Sequence, residues 1–345
     1  MQALVIKGVG MVTAVGHDAL STCAAIRCAI DNFQDTRFLD KGGEWLVGSG
    51  VQLEEAWRGQ TKLVKMAARA IAEAIASTPG LDPSKTPLLL CIAEEDRPAR
   101  LADLGPRLIR GIQKELGVEF HADSSFIARG RVGAAVGLLN ARKLIHELGH
   151  RHVLIAGVDS FLNAPVMEAY ERRDRLLTSL NSNGFIPGEG AAAVSLCAPV
   201  AEDQPQLVCT GLGFGMEPAT VESLDIPLRA DGLTQALRAA LQESGSSMES
   251  YDYRLTDLSG EQYYFKEASL ALSRNLRVRK EFFDLWHPAD CIGECGAAIG
   301  PAMLALAHSA SRKGYSPGNN ILCHLGNDAG QRAVALLSYQ RVRAA

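Results

Sequence analysis

The chain has 345 residues, of which 47% are hydrophobic and 21% are charged, and its formal net charge is −4. A chain of this size can bury one large core or two similar halves. The mild acidity gives no electrostatic basis for binding nucleic acid, and no apolar segment approaches the roughly 18 residues that a membrane span needs.

In chain order, apolar stretches typical of strands alternate with longer stretches in which apolar residues have helical spacing. Asp18 is the predicted N-cap of the first helix, because its short carboxylate can accept a free N–H of the first turn. Before the polar segment 199–205, the sequence predicts strands over 3–10, 87–93, 152–158 and 190–197, and helices over 61–75, 99–116 and 131–148.

The remainder of the chain repeats this alternation. It predicts strands over 207–214, 252–256, 321–324 and 333–338, and helices over 231–242, 262–273 and 294–311. Such alternation predicts an α/β fold with mostly parallel, well-buried strands. Because the most polar break lies near the midpoint, we expect two similar halves, residues 1–204 and 205–345.

The cysteines indicate a reducing environment. The eight cysteines form no CxxC pair, and most of them lie in apolar segments, as buried free thiols do. The N-terminal stretch MQALVIKGVGMVTAVG lacks the basic and long apolar regions of a signal peptide. We therefore expect a cytoplasmic protein.

Residues 146–150 read HELGH and match the H-E-x-x-H pattern of zinc peptidases. That pattern needs both histidines on one continuous helix. Gly149, however, is typical of the residue just past a helix C-terminus, and a strand is predicted from residue 152. We therefore expect His150 in a turn, pointing away from His146, and a zinc peptidase is kept only as a third hypothesis.

The segment Leu177–Leu196 reads LTSLNSNGFIPGEGAAAVSL. Other segments read LVIKGVGMVTAVGHD at 4–18, ARKLIHELGHRHVLIAGVDS at 141–160, LTDLSGEQYYFKE at 255–267, DCIGECGAAIG at 290–300 and HLGNDAG at 324–330. Together they resemble the β-ketoacyl synthase family, the condensing enzymes of the thiolase fold. The GFIPGEGAAA core is highly specific to ketosynthases, and the resemblance covers nearly the whole chain.

The resemblance implies a thiolase-like α/β fold, with two related halves in five αβαβα layers. It implies a homodimer, or a heterodimer with a ketosynthase-like subunit, and an acyl carrier protein is a possible further partner. We expect no cofactor, no metal, no nucleic acid and no membrane partner.

A ketosynthase needs a cysteine thiolate at a helix N-terminus, and two histidines that assist decarboxylation and stabilise the developing oxyanion. Alignment with the family puts the nucleophile at 130–132, which reads GRV and contains no nucleophile. Asp257 falls near the first histidine, and Glu294 takes the place of the second. The Cys-His-His triad is therefore missing, and acids stand where histidines would be.

Ionisable residues around these positions predict a remodelled pocket, with Glu294, Asp257 and His324 as candidate catalytic residues. The other expected pocket residues are Glu95, Asp123, Ser124, Arg129, Arg131, Val132, Glu261, Cys295 and Asn327. Acids paired with arginines could form a ligand or catalytic site, or a purely structural ion-pair network. Ser124 could cap the following turn, and Cys295 could be a packed thiol because Glu294 disfavours its thiolate.

The main hypothesis is a β-ketoacyl synthase homologue that does not condense but binds an acyl thioester or an acyl carrier protein in a lipid or polyketide pathway. The second hypothesis is an active acyltransferase or thioesterase with a carboxylate-based site, in the 3-oxoacyl-acyl-carrier-protein synthase class.

Overall fold

The computed structural model describes residues 2–342. Its strands are β1 (Leu4–Val12), β2 (Gln34–Leu39), β3 (Trp45–Gly48), β4 (Leu88–Ile92), β5 (Ser125–Ala128), β6 (Val153–Ser160), β7 (Glu189–Cys197), β8 (Gln206–Met216), β9 (Tyr253–Thr256), β10 (Leu285–Trp286), β11 (Asn320–Gly326) and β12 (Gln331–Gln340). Its helices are α1 (Ala19–Arg27), α2 (Gly59–Ala76), α3 (Leu104–Leu116), α4 (Gly133–His146), α5 (Ala164–Arg172), α6 (Asp231–Ser244), α7 (Gln262–Asn275), α8 (Ala289–Ile292) and α9 (Ile299–Arg312).

The strand order shows that the chain folds as two related halves. In the first half the order is β1-β7-β6-β4-β5, and in the second it is β8-β12-β11-β9-β10. In both orders the first two pairings are antiparallel and the last two are parallel. The halves join where β1 pairs antiparallel with β8, so ten strands form one continuous hydrogen-bonded sheet. The boundary at 204 and 205 stays a prediction.

The expectation of mostly parallel strands was wrong. Among the described residues, five pairings of the large sheet are antiparallel and four are parallel. The central strands are buried on both faces, so either orientation of such a strand buries the same apolar side chains. The apolar pattern therefore does not encode strand direction.

The helices and sheet halves form five layers, in the order αβαβα. Helices α4 and α9 lie in the middle and contact strands of both halves. Helices α2 and α3 cover the other face of the first half, and α6 contacts β8 and β12 in the second, with α7 packed against it. The alternation along β4 follows these layers. Leu88 and Leu90 pack in the core beneath α2 and α3, whereas Leu89 and Cys91 pack in the core around α4 and α9.

Several helices begin or end at residues other than those predicted. The side chain of Asp18 accepts the Ser21 N–H at 2.6 Å, which confirms the predicted cap of α1. Helix α3 begins at Leu104 rather than near residue 99, and α9 begins at Ile299, because 3-10 geometry over Gly296–Ala298 comes first.

Helix α4 ends at His146, so the HELGH segment is not one continuous helix. His146 Nε2 lies 2.8 Å from the carbonyl oxygen of Ala3, whereas His150 Nε2 lies 2.7 Å from Asp123 Oδ2. The two histidines therefore face different surroundings, and the zinc-peptidase geometry is not formed. Within residues 2–342, no helix combines the length and apolar character that crossing a membrane would require.

Candidate functional site

Two short turns with 3-10 geometry, Gly130–Val132 and Gly296–Ala298, lead into α4 and α9 at corresponding positions of the two halves. Each begins with a glycine at positive φ, +52° and +51°. The two helices approach closely at these ends, because a Cβ on Gly300 would lie 2.5 Å from the Cβ of Ala134. The residues preceding α4 and those preceding α9 are thereby brought into contact.

Arg131 is at the centre of this contact, and its residue is only 5% exposed. It donates from Nη1 to Glu294 Oε2 at 3.1 Å, and from Nη2 to the Tyr264 hydroxyl at 2.7 Å and Asp328 Oδ1 at 2.9 Å. Its Nε lies 3.7 Å from Asp257 Oδ2. The structure therefore brings Glu294 and Asp257 to the Gly130–Val132 turn, and the arginine joins them. Their catalytic role stays a prediction.

The Glu294 carboxylate accepts bonds from three donors. Its Oε1 accepts the Gly296 N–H at 2.8 Å, and its Oε2 accepts the Ser259 hydroxyl at 2.8 Å besides the Arg131 guanidinium. A carboxylate bonded in this way holds the turn before α9 in place, and three of its roughly four acceptor sites are used by the protein.

Burial and charge shift the pKa values of the central groups in opposite directions. Burial raises the pKa of Asp257 to about 6, although Arg131 favours the charged form. Burial works to lower the pKa of Arg131, but Tyr264, Glu294 and the other nearby acids raise it well above its ordinary value. The guanidinium is therefore permanently charged, and it is the counter-ion that permits acids to be buried here.

A second arginine extends the network. Arg175 binds Glu261 through two bonds, from Nε at 2.6 Å and from Nη2 at 2.7 Å, and donates from Nη1 to Asp328 Oδ2 at 2.7 Å. Tyr264 also donates to Asp328, at 2.6 Å. Burial would raise the pKa of Asp328, but Arg175 and Arg131 hold it well below its usual range. Glu261 therefore lies in the network, in a bidentate ion pair with Arg175, and its role as a pocket residue stays a prediction.

Little free space remains where Asp257 and Tyr264 meet His324. The void bounded by Asp257, His324 and Tyr264 has a volume of about 10 Å³, which is barely room for one water molecule. His324 is buried, its Nδ1 lies 3.2 Å from Thr256 Oγ1, and burial lowers its pKa to about 3. The imidazole is therefore neutral at physiological pH.

Three further expected pocket residues lie at the site but have packing roles. Cys295 is 1% exposed, and burial together with Glu294 raises the pKa of its thiol well above the ordinary value. Val132 belongs to the hydrophobic core. Asn327 accepts the Gln331 N–H at 2.9 Å and donates to the Gln331 side chain, which shapes the turn between β11 and β12.

Four expected pocket residues lie outside the network, and their assignment is corrected. Glu95 and Arg129 are solvent-exposed. Asp123 and Ser124 precede β5, whereas Arg131 follows it, and the four residues of this strand span about 13 Å. Ser124 instead accepts the Leu88 N–H at 2.9 Å and donates to the His121 carbonyl at 2.6 Å, so it orders the loop before β5.

A second polar cluster lies behind the turn before α9. Arg97 donates to both carboxylate oxygens of Asp159, at 2.8 and 3.2 Å, and to Glu94 Oε2 at 2.9 Å. Asp159 Oδ2 in turn accepts the Ala297 N–H at 3.0 Å, next to Glu294. This cluster connects the network around Arg131 to a neighbouring cavity.

The cavity has a volume of about 1000 Å³. Its walls come from residues 34–38, 48–63, 93–104 and 159–166, together with Glu189. Arg97 and Asp159 form part of its wall, whereas Arg131, Asp257 and Glu294 do not line it. The accessible space is therefore beside the network and not within it.

Several residues of these clusters were not among the predicted pocket residues. Asp159 lies at the C-terminal end of the buried strand β6 and Asp328 just after β11, where polar residues of α/β proteins gather, so that signal was available. Tyr264 sits inside the quoted LTDLSGEQYYFKE segment. No local sequence pattern marks Arg175 as a site residue, because only the fold brings it to Glu261 and Asp328.

No protein-family model and no curated protein sequence matches the chain. Solved structures do match in fold. A ketosynthase in complex with its chain length factor from Xenorhabdus doucetiae has a TM-score of 0.76 at 13% identity, with 98% of both chains covered. A β-ketoacyl synthase from Burkholderia phymatum has a TM-score of 0.72 at 13% identity, with 99% of this chain and 100% of that chain covered.

A third similar structure is a type II polyketide synthase acyl-carrier protein in complex with its ketosynthase bound to the hexaketide. It has a TM-score of 0.79 at 15% identity, with 98% of this chain and 99% of that chain covered. Similarity at this level of identity concerns the fold. The chain has the thiolase-like fold of the ketosynthases and chain length factors over nearly its whole length.

Proposed function

We propose that this chain is a ketosynthase-like protein that binds an acyl thioester or an acyl carrier protein and does not carry out decarboxylative condensation. The observation that carries the proposal is Arg131. It stands where the resemblance puts the nucleophilic cysteine, and it is ion-paired with Glu294, which stands where the second histidine would be.

The network lacks the chemistry that condensation needs. Transfer of an acyl group to the protein requires a thiolate, and Cys295 is buried beside a carboxylate that raises its pKa. Stabilising an oxyanion requires donors aimed at it. Here the donors of Arg131 and Gly296 are already bonded to acids. A negatively charged intermediate would face Glu294 and Asp257, which repel it.

The neighbouring cavity is the proposed ligand site. Its volume of about 1000 Å³ matches the upper range of small-molecule sites and would admit an acyl chain with its thioester. Leu53, Trp57 and Leu104 contribute apolar side chains to its wall. The remainder of the wall carries both cations, such as Arg58 and Arg100, and acids. A ligand there would lie against the Arg97–Asp159 pair.

We also propose that the chain works as a subunit beside a second ketosynthase-like chain, identical or different, in a lipid or polyketide pathway. Among the structural neighbours, a ketosynthase is paired with its chain length factor and another with its acyl-carrier protein. Support from this chain is the edge strand β5, which pairs only with β4 within residues 2–342 and has Phe126 40% exposed.

The test is intact-mass spectrometry after incubation with acyl-CoA and with acyl carrier protein loaded with the same acyl group. We expect no covalent adduct on this chain, whereas a condensing ketosynthase run in parallel gains one acyl group. Thermal unfolding with the same ligands should show a raised Tm, because a ligand that binds the folded state stabilises it. A stoichiometric acyl adduct would refute the proposal.

One observation favours the second candidate, an acyltransferase or thioesterase that uses Glu294, Asp257 and His324. The pKa of Asp257 is raised to about 6, so its carboxyl could exchange a proton near neutral pH. If this candidate is right, Glu294→Gln abolishes turnover of an acyl-thioester while the protein stays folded. Glu95→Gln, at an exposed carboxylate outside the network, is the control and keeps its activity.

A further inference from the structure

Three side chains suited to metal binding converge far from the proposed ligand site. His121, Asp123 and His150 each offer one ligand atom, and these atoms lie within 4.8 Å of one another. Among residues 2–342, no other group of three or more histidine, cysteine or acidic side chains brings its ligand atoms this close together. Neither the ketosynthase resemblance nor the zinc-peptidase pattern brings these three residues together.

The distances are those of a site that needs little rearrangement. His150 Nε2 lies 2.7 Å from Asp123 Oδ2, and His121 Nδ1 lies 3.5 Å from the same oxygen. Ligands at about 2.1 Å from a tetrahedral metal are about 3.4 Å apart. A metal could therefore enter after small rotations of the side chains. It would take the place of the His150–Asp123 hydrogen bond and of the bond that the Asp123 N–H donates to His121 Nδ1 at 3.2 Å.

The backbone around these ligands is held firmly. The His121 N–H donates to the Thr86 carbonyl at 3.3 Å, and Ser124 donates to the His121 carbonyl at 2.6 Å. On the other side, the His150 N–H donates to the Leu144 carbonyl at 3.0 Å. The ligands thus come from two ordered loops, one before β5 and one between α4 and β6, which lowers the entropic cost of assembling a site.

The charge of the group also suits a divalent cation. Within the described chain, Asp123 has no lysine or arginine nitrogen within 4.0 Å, and its ion-pair partners are the two imidazoles. Two neutral imidazoles and one carboxylate are the donor set that zinc and related transition metals take. Three protein ligands leave a fourth position open for water.

We propose that His121, Asp123 and His150 bind one divalent transition metal of the zinc class, which clips the two loops together at the N-terminal ends of β5 and β6. The site lies at the opposite end of β5 from Arg131. It would therefore act on the stability of the first half of the fold, and it is independent of the proposed acyl ligand.

The experiment titrates Zn²⁺ into chelator-treated full-length protein without an affinity tag, in competition with a chromophoric chelator. The Cys28→Ser background removes the one exposed cysteine of the eight, since the other seven are buried. We expect one equivalent of Zn²⁺ to bind, with at least tenfold weaker binding in Asp123→Asn and in His150→Ala. Co²⁺ substituted at the site should give visible absorption bands that these variants lose.

His146→Gln is the control, because this histidine belongs to the HELGH pattern but lies outside the proposed site. It should leave Zn²⁺ affinity unchanged, whereas the peptidase pattern requires it to fall. Asp123 is exposed, so Asp123→Asn should keep the fold and give an interpretable result even if His150→Ala is unstable. Absence of stoichiometric Zn²⁺ binding in the parent protein, or equal affinity in Asp123→Asn, would overturn the proposal.

Discussion

Arg131 explains why this fold can hold so many acids at its centre. A buried ion loses its hydration, and only nearby opposite charge and hydrogen bonds offset that loss. Arg131 faces Glu294, Asp257 and Asp328, while Arg175 faces Glu261 and Asp328. The buried acids therefore depend on the two arginines for their counter-charge.

The pH dependence of stability tests how Asp257 is buried. Its pKa in the folded protein is about 6, above the ordinary 3.8, so folding favours the protonated form. The stabilising contribution is present below pH 3.8 and is lost as the pH rises through 6. Asp257→Asn keeps a neutral group at every pH. Relative to the parent, the variant should therefore gain stability by up to about 3 kcal/mol between pH 4 and pH 8.

Chemical denaturation of both proteins at several pH values measures this difference. At pH 4 the two free energies of unfolding should be close, because acid and amide are then both neutral. A difference that stays constant, or that moves against the variant as the pH rises, would show that Arg131 holds Asp257 ionised throughout.

At the scale of elements, strand β6 positions the turn before α9. Gly157 in β6 faces the backbone of this turn, and a Cβ there would lie 2.2 Å from the carbonyl oxygen of Ala297. Gly157→Ala must push the turn away, which also strains the Ala297 bond to Asp159. We expect a loss of about 2 kcal/mol or more in the free energy of unfolding.

Gly50→Ala is the matched control for that substitution. A Cβ on Gly50 would meet its nearest atom, Cδ1 of Leu162, at 3.4 Å, which is ordinary contact. This change should alter the free energy of unfolding by no more than about 0.5 kcal/mol. Equal effects of the two substitutions in urea denaturation would mean that β6 does not fix the turn.

The sequence could predict the position of most strands and helices because apolar periodicity is a local signal. The sequence could not predict the direction of strands that are buried on both faces of the sheet. It also could not predict that α9 starts five residues after Glu294. A motif fixed the alignment that placed Glu294 and Asp257 beside the Gly130–Val132 turn, where the structure has them, and their role as site residues stays a prediction. Asp123 was wrongly assigned to the pocket because residues that are close along the chain can lie at opposite ends of a strand.

At the scale of the whole molecule, the two halves have the same strand order but end in edge strands of different length. The second half ends in the two-residue strand β10, whereas the first ends in the four-residue strand β5. An open edge with unpaired backbone groups and an exposed aromatic ring is a surface for pairing with another chain. The proposed ketosynthase-like partner would cover β5.

Ser125→Lys tests this assignment, since Ser125 is exposed at the start of β5 and a lysine on an edge strand opposes pairing. Light scattering after size exclusion should give a dimer mass for the parent protein, or for its complex with a co-purified ketosynthase-like subunit, and a monomer mass for the variant. Ser182→Lys adds the same charge on an exposed loop away from the edge and should leave the mass unchanged. If the parent associates and Ser125→Lys does so equally well, the chains meet through another surface, and β5 is not the interface.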